Sequence, residues 1–192
     1  MNNLQRIALL VVVLAVIIWM VLVFNRLTKL KNQCRESWSD IDTELKRRYD
    51  LIPNLVQVVT AYARHERDTL DSVTRARAGA INSKGSPASQ AQDENVLVGA
   101  LRQLFVVVES YPNLKADRHF LALQQELVTT EDRIQAARRF YNANVRDFNT
   151  RIEVFPSNLV AKLSGFDRAD YFEIEDSVHS APQISFPDRP TV

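Results

Sequence analysis

The sequence predicts an all-α protein: an N-terminal transmembrane helix followed by an antiparallel bundle of long helices. Three observations predict it. Ile7 to Phe24, IALLVVVLAVIIWMVLVF, is eighteen residues without a charge or a side-chain amide. Apolar residues then recur every three or four positions through three long stretches, which is the period of a helix face packed in a bundle. Only four glycines occur in 192 residues, a composition that suits long helices and few tight turns.

The N-terminal run covers about 27 Å as a helix, close to the hydrocarbon thickness of a bilayer. Valine and isoleucine are modest helix formers in water. In lipid the backbone must satisfy its own hydrogen bonds, so the helix prevails. A cleaved signal peptide would have a shorter apolar core and a small-x-small site after it. Here NRLTKLKNQC follows, and Lys31-Asn32-Gln33 before Cys34 does not suit a lipoprotein site. The reading is a retained anchor over residues 1–26, spanning about 7–24, with the lipid bilayer as its partner. Arg26, Lys29, Lys31 and Arg35 follow the span, whereas Arg6 and the terminal amine precede it. The positive-inside rule then places the remaining chain in the cytoplasm.

The first long helix is expected to run from near Leu4 to near Ile81. Trp38, Leu45, Ile52, Val59 and Val73 fall on a seven-residue grid, with Glu66 off pattern. Ile41, Tyr49, Val56, Ala63 and Leu70 fill the offset positions. Trp38 lies on this stripe, so it is expected in the core rather than at a membrane interface. Pro53 interrupts the stretch. Either Asp50 caps a new helix with Pro53 in its first turn, or Pro53 kinks a continuous helix and frees the Tyr49 carbonyl. The stripe keeps its phase across the proline, which favours the kinked helix, at a cost of about 3 kcal/mol that packing must offset. Such a helix would outrun its neighbours, and self-association is one way to cover its unmatched stripe.

Residues 79–95, GAINSKGSPASQAQDEN, read as a linker, with Gly85-Ser86-Pro87 as its turn. A second helix is expected from about Ser89 to Ser110, striped by Leu97, Leu101, Leu104 and Val108, and ended by Pro112. Asp117 is the expected N-cap of a third helix. Phe120, Leu127, Ile134, Tyr141 and Phe148 recur every seventh residue, so this helix should reach about Ile152, roughly 54 Å. A short helix from about Pro156 to Leu163 should end at Gly165, which suits a left-handed cap. The bundle therefore occupies 27–166. Residues 167–192 lack periodicity and read as an irregular or disordered tail.

Composition narrows the chemistry. Twenty-four basic against twenty-three acidic residues leave no nucleic-acid footprint. One cysteine, Cys34, excludes an internal disulfide. His65, His119 and His179 fit no metal spacing. HERD, His65 to Asp68, lacks a second ligand set and reads as structural or solvated. No glycine loop, nucleophile elbow or metal motif is present. In KRRYD, Arg47, Arg48 and Tyr49 are a candidate partner-docking patch, against a solvated face with local pairs such as Glu44–Arg48. In RRFYNANVRDFN, Asn142 and Asn149 lie seven apart. They are candidates for interhelical hydrogen bonds that set register, against ordinary surface amides.

Three stretches together resemble the LemA family of bacterial membrane-anchored helical proteins: Glu36 to Ala78, Tyr111 to Asn149, and Phe155 to Phe166. RRYDLIPNLV and TEDRIQAARRFYNANV are the most specific of them. The resemblance implies a long-helix bundle on an N-terminal anchor in the bacterial inner membrane, with a first helix continuous through Pro53. It implies no activity. The expected function is a non-enzymatic single-pass membrane protein, a helical-rod scaffold or adaptor able to self-assemble. The alternative is a regulatory subunit of a membrane enzyme such as a protease; a third reading is an enzyme with a polar pocket between helices. No cofactor, small-molecule substrate or nucleic acid is expected. The expected protein partner is a second copy or another membrane protein.

Overall fold

The computed structural model describes residues 2–174. Helix α1 runs Asn3–Tyr62 as one helix of 60 residues with Pro53 inside it. It is followed by α2 (Arg67–Asn82), α3 (Pro87–Val108), α4 (Pro112–Lys115), α5 (Arg118–Glu153) and α6 (Ser157–Leu163). No strand occurs among the described residues. The all-α class and the long helices agree with the periodicity.

One expectation about the first helix needs correction. Pro53 is internal, but the helix stops at Tyr62 rather than near Ile81. Arg77 Nε donates to the Tyr49 carbonyl over 2.7 Å. On one straight helix these residues would be about 42 Å apart. Helix α2 therefore folds back along α1, and HERD sits at the corner, with Ala63 to Glu66 outside both helices. Tyr111 donates its hydroxyl to the Glu66 carboxylate at 3.0 Å, holding the corner from the α3–α4 turn. The fold-back also answers the expectation of an unmatched stripe. Ile52, Leu55, Val59, Leu70 and Val73 are all buried within the chain.

The tie from Arg77 resolves the proline problem as well. Proline has no N–H, so the carbonyl four residues earlier loses its helical partner. That carbonyl belongs to Tyr49, and the Arg77 guanidinium supplies the missing donor.

The linker is shorter than composition suggests, only residues 83–86. Pro87 opens α3, where its fixed φ is already helical and its missing N–H costs nothing. A Cβ on Gly85 would lie 2.6 Å from the Ser89 side chain, so glycine lets this turn close onto α3. At the start of α5, Asp117 Oδ1 accepts from the His119 and Phe120 N–H groups at 2.8 and 3.0 Å, the expected N-cap. At the end of α6, Gly165 takes φ +68° and Phe166 N–H reaches the Ala161 carbonyl at 3.0 Å, a Schellman-type stop.

The chain divides into two units. The first holds residues up to Arg47, Ser86–Ala88 and Asp132–Phe172. Its core is Leu27, Ile41 and Leu45 from α1, with Ile134, Tyr141, Val145 and Phe148 from α5. Trp38 packs against Tyr141 and Phe172, with ring centroids 5.4 and 5.1 Å apart. The second unit holds Arg48–Gly85, Ser89–Glu131 and the described residues from Glu173. Its core joins Ile52, Leu55 and Val59 to Leu97, Leu101, Leu104, Phe120 and Leu127. Burying each such side chain contributes about 1.5–3 kcal/mol. Of the expected tail, residues 175–192 lie outside the described residues. Residues 167–174 have no helix, yet Phe172 and Ile174 are buried, so this part packs onto the fold.

Candidate functional site

The interior of the second unit contains a charge cluster built on three helices. Arg48 from α1 is fully buried, at 0% exposure, as is Glu94 from α3; Glu131 from α5 is 7% exposed. Arg48 Nη1 donates to Glu131 Oε2 at 2.8 Å, and Nη2 donates to Glu94 Oε2. The other Glu94 oxygen accepts from the Tyr49 hydroxyl and from Gln90 Nε2, the latter at 2.8 Å. Gln90 Nε2 also lies 3.1 Å from the Ala80 carbonyl, which brings in the end of α2. Buried charges persist when each is paired and its remaining lone pairs are hydrogen-bonded, and Glu94 meets that condition on both oxygens.

Two residues of the expected docking patch, Arg48 and Tyr49, therefore face inward. Arg47 is on the surface, beside Glu44 at 3.8 Å, so Glu44 pairs with Arg47 rather than with Arg48. Each residue turns about 100° further round the helix, so the buried face is wide enough for 48 and 49 while 47 points to the surface. Arg48 lies seven residues after Ile41 and four before Ile52, on the buried stripe.

The two asparagines are near the interior of the first unit, with a different partner from the one expected. Asn142 Nδ2 donates to the Phe172 carbonyl at 3.0 Å, and its Oδ1 accepts from the Phe172 N–H at 2.9 Å. Asn149 does the same for Ala169, at 2.9 Å each way. Tyr141 donates its hydroxyl to the Asp170 carbonyl at 2.8 Å. These side chains tie a backbone strap, residues 169–172, to α5; their partners are not on another helix. A side-chain amide matches a peptide group donor for acceptor, so the Ala169 and Phe172 peptide groups are satisfied outside any helix. Burial, and then the nearby Cys34 and Asp170 groups, push the Tyr141 phenol well above its usual value. The phenol is fixed as a neutral donor.

An open recess of about 650 Å³ lies between the end of α1 and the start of α5, lined in part by Asn54, Gln57, Tyr62, Asp117 and His119. Tyr62 donates its hydroxyl to Asp117 Oδ2 at 2.9 Å. Asp117 is thereby engaged on both oxygens, and its carboxyl is held below the usual range, chiefly by the Phe120 N–H and then by the Tyr62 hydroxyl. Among the described residues no three His, Cys, Asp or Glu side chains group as metal ligands would.

Sequence reasoning misses Glu94 and Glu131, although a signal exists. Glu94 is seven residues before Leu101, and Glu131 lies between Leu127 and Ile134. Each occupies an apolar stripe position, as Arg48 does. Charges of opposite sign at stripe positions on three helices are the signature of an interior ion cluster.

The N-terminal segment contrasts with this interior. Its most apolar window has a mean hydropathy of 3.4 and only 6% of it is buried. Leu10, Leu14, Ile18 and Leu22 are all exposed. The fold and its interior thus define a class: an all-helical protein with one N-terminal helix long and apolar enough to cross a membrane, and a bundle tied internally by charge. Residues 37–186 match the LemA family, and the chain belongs to that family. Among its relatives is the protein LemA of Metamycoplasma hominis, 31% identical over 141 residues, which are 72% of this chain and 63% of the relative. The magnetosome protein MamQ 2 of Paramagnetospirillum magneticum is 27% identical over 186 residues, covering 84% of this chain and 68% of the relative. The magnetosome protein MamQ of Magnetospirillum gryphiswaldense is 24% identical over 189 residues, covering 84% and 70%. Family and apolar helix together support membrane association.

Proposed function

We propose that this chain is a single-pass membrane protein that acts as a non-enzymatic helical scaffold or adaptor. One observation carries the reading. The most apolar eighteen-residue window of α1 is 6% buried, unlike the core helix of a soluble protein. Lipid is the solvent that such a surface requires. The charged groups of the interior support the non-enzymatic part: Arg48 and Glu94 are fully buried and bonded to each other, an arrangement that ties helices. The excess of Arg26, Lys29, Lys31 and Arg35 after the span favours a cytoplasmic bundle in the bacterial inner membrane. The names of the magnetosome relatives are compatible with a role in organising a membrane.

The test is native mass spectrometry of the gently solubilised full chain. A homo-oligomer of fixed number supports the scaffold. A monomer bound stoichiometrically to a membrane enzyme supports the alternative, a regulatory subunit. A bare monomer at every concentration, with catalytic turnover, overturns both.

A further inference from the structure

We infer that α6 and the turn before it form a second membrane contact, a short helix lying in the lipid–water interface beside the span. The inference rests on the proposed anchor. The first unit supplies the geometry. Facing pairs between α1 and α5 run antiparallel, Trp38 with Tyr141 and Ser37 with Asn144, the latter at 3.1 Å. Carried along the two helices, this register brings the end of α5, Glu153, level with about Leu27, one turn beyond the span's last residue, Phe24. The far side of α6 confirms the height. The Phe166 ring, just after α6, meets the Phe24 ring edge-on at 5.7 Å and the Phe148 ring at 6.2 Å. Lys31 Nζ lies 5.5 Å from the Phe166 centroid. Burial of α1 also begins here, at Val23 and Leu27.

The surface of this segment is unusual for one facing water. Helix α6 buries Ser157, Val160 and Ala161. Its other face presents Leu159 and Leu163, 52% and 78% exposed, and the preceding turn presents Val154 and Phe155, 48% and 74% exposed. Leu159 and Leu163 are one turn apart and share a face. Four large apolar side chains thus stand together at the level where the span leaves the hydrocarbon. Arg26, Lys29 and Lys162 are exposed nearby in sequence or level, as suits anionic headgroups. Lipid covers such a patch without any new protein partner, because the covalently attached span already holds the patch at the bilayer.

The test uses the full chain in phosphatidylethanolamine–phosphatidylglycerol vesicles. Single cysteines at Leu159, Leu163, Phe140 and Val16 carry an environment-sensitive dye. Each is made with Cys34 retained and also with Cys34→Ala, because Cys34 is buried and labels slowly. Quenching is read from a nitroxide on lipid acyl chains and from aqueous iodide. The expected result is loss of emission to the lipid quencher at Leu159 and Leu163 as at Val16, with protection from iodide. Phe140, exposed about three and a half turns above Glu153 on α5, should respond to iodide alone. If Val16 is quenched by lipid while Leu159 and Leu163 respond to iodide like Phe140, the inference fails and the anchor stands. If Val16 too escapes the lipid quencher, the anchor itself fails. Protection from both quenchers at Leu159 and Leu163 assigns the patch to a second protein surface and overturns the inference.

Discussion

Arg48 occupies a position where a leucine would complete the stripe of α1. Replacing it with methionine would fit the apolar surroundings but take the guanidinium from Glu94, whose buried charge then has only the neutral Tyr49 and Gln90 donors. Breaking a buried pair by removing one partner costs about 3–5 kcal/mol, because the remaining charge is uncompensated. R48M should therefore lower the urea midpoint of the purified chain in detergent, with little change in slope. R48M combined with E94Q should recover part of the loss, since the second change removes a stranded charge. Equal stability of R48M and wild type would show that the cluster does not hold the helices. The asparagines make a separate prediction. N142A or N149A leaves a peptide group of the strap without its amide partner, at about 1–3 kcal/mol each. Hydrogen exchange at the Phe172 or Ala169 amide should accelerate, with the α5 core amides unchanged.

The elements show what periodicity can and cannot reveal. The stripe on α5 was legible over its full length, since Phe120, Leu127, Ile134, Tyr141 and Phe148 are all buried, and Asp117 and Gly165 mark its cap and the stop after α6. The corner at Ala63–Glu66 was not legible. It has no glycine or proline, and a seven-residue stripe looks the same whether the helix continues or folds back. What makes the corner is tertiary: Tyr111 on Glu66 and Arg77 on the Tyr49 carbonyl. Even the choice of interior charges was hidden for a related reason, because a charge on a stripe reads as an error until its partners on other helices are known. Pro53 and Arg77 should accordingly be coupled. Arg77→Ala should destabilise the wild type by more than it destabilises P53A, where an N–H returns to the Tyr49 carbonyl. A double-mutant cycle should give about 1 kcal/mol of coupling; a coupling of zero would mean the guanidinium contact is incidental. At the start of α5, the Asp117 carboxyl has a lowered folded pKa, so its contribution is complete above the ordinary value of about 3.9 and is lost as pH falls through the lowered one. Asp117→Ala should reduce Tm at neutral pH, and the gap to wild type should close in acid. A gap that persists at low pH would assign the effect to something other than the ionised cap.

At the scale of the whole molecule, two solvents act on one chain. The bundle follows the rules of water: apolar stripes inward, Arg47 and its like outward, and charges admitted to the interior only with partners. The first turns of α1 invert that pattern, with Leu10, Leu14 and Ile18 outward and no charge from Ile7 to Phe24. A uniform aqueous environment would select neither surface together with the other. The membrane reading thus makes a demand that the bundle does not share. A charge placed at the middle of the span should oppose insertion by about 2.5–3.5 kcal/mol per residue on the biological insertion scale. Val13→Lys with Ile17→Asp should therefore shift the chain from the carbonate-resistant membrane fraction toward the soluble one. The far-UV signal of the bundle and its urea midpoint should change little, because neither residue packs in its core. Persistence of the double variant in the membrane fraction would mean that the bundle, rather than the apolar run, carries the attachment. Release together with unfolding would mean that the two surfaces are coupled, and that the bundle needs lipid to hold its own structure.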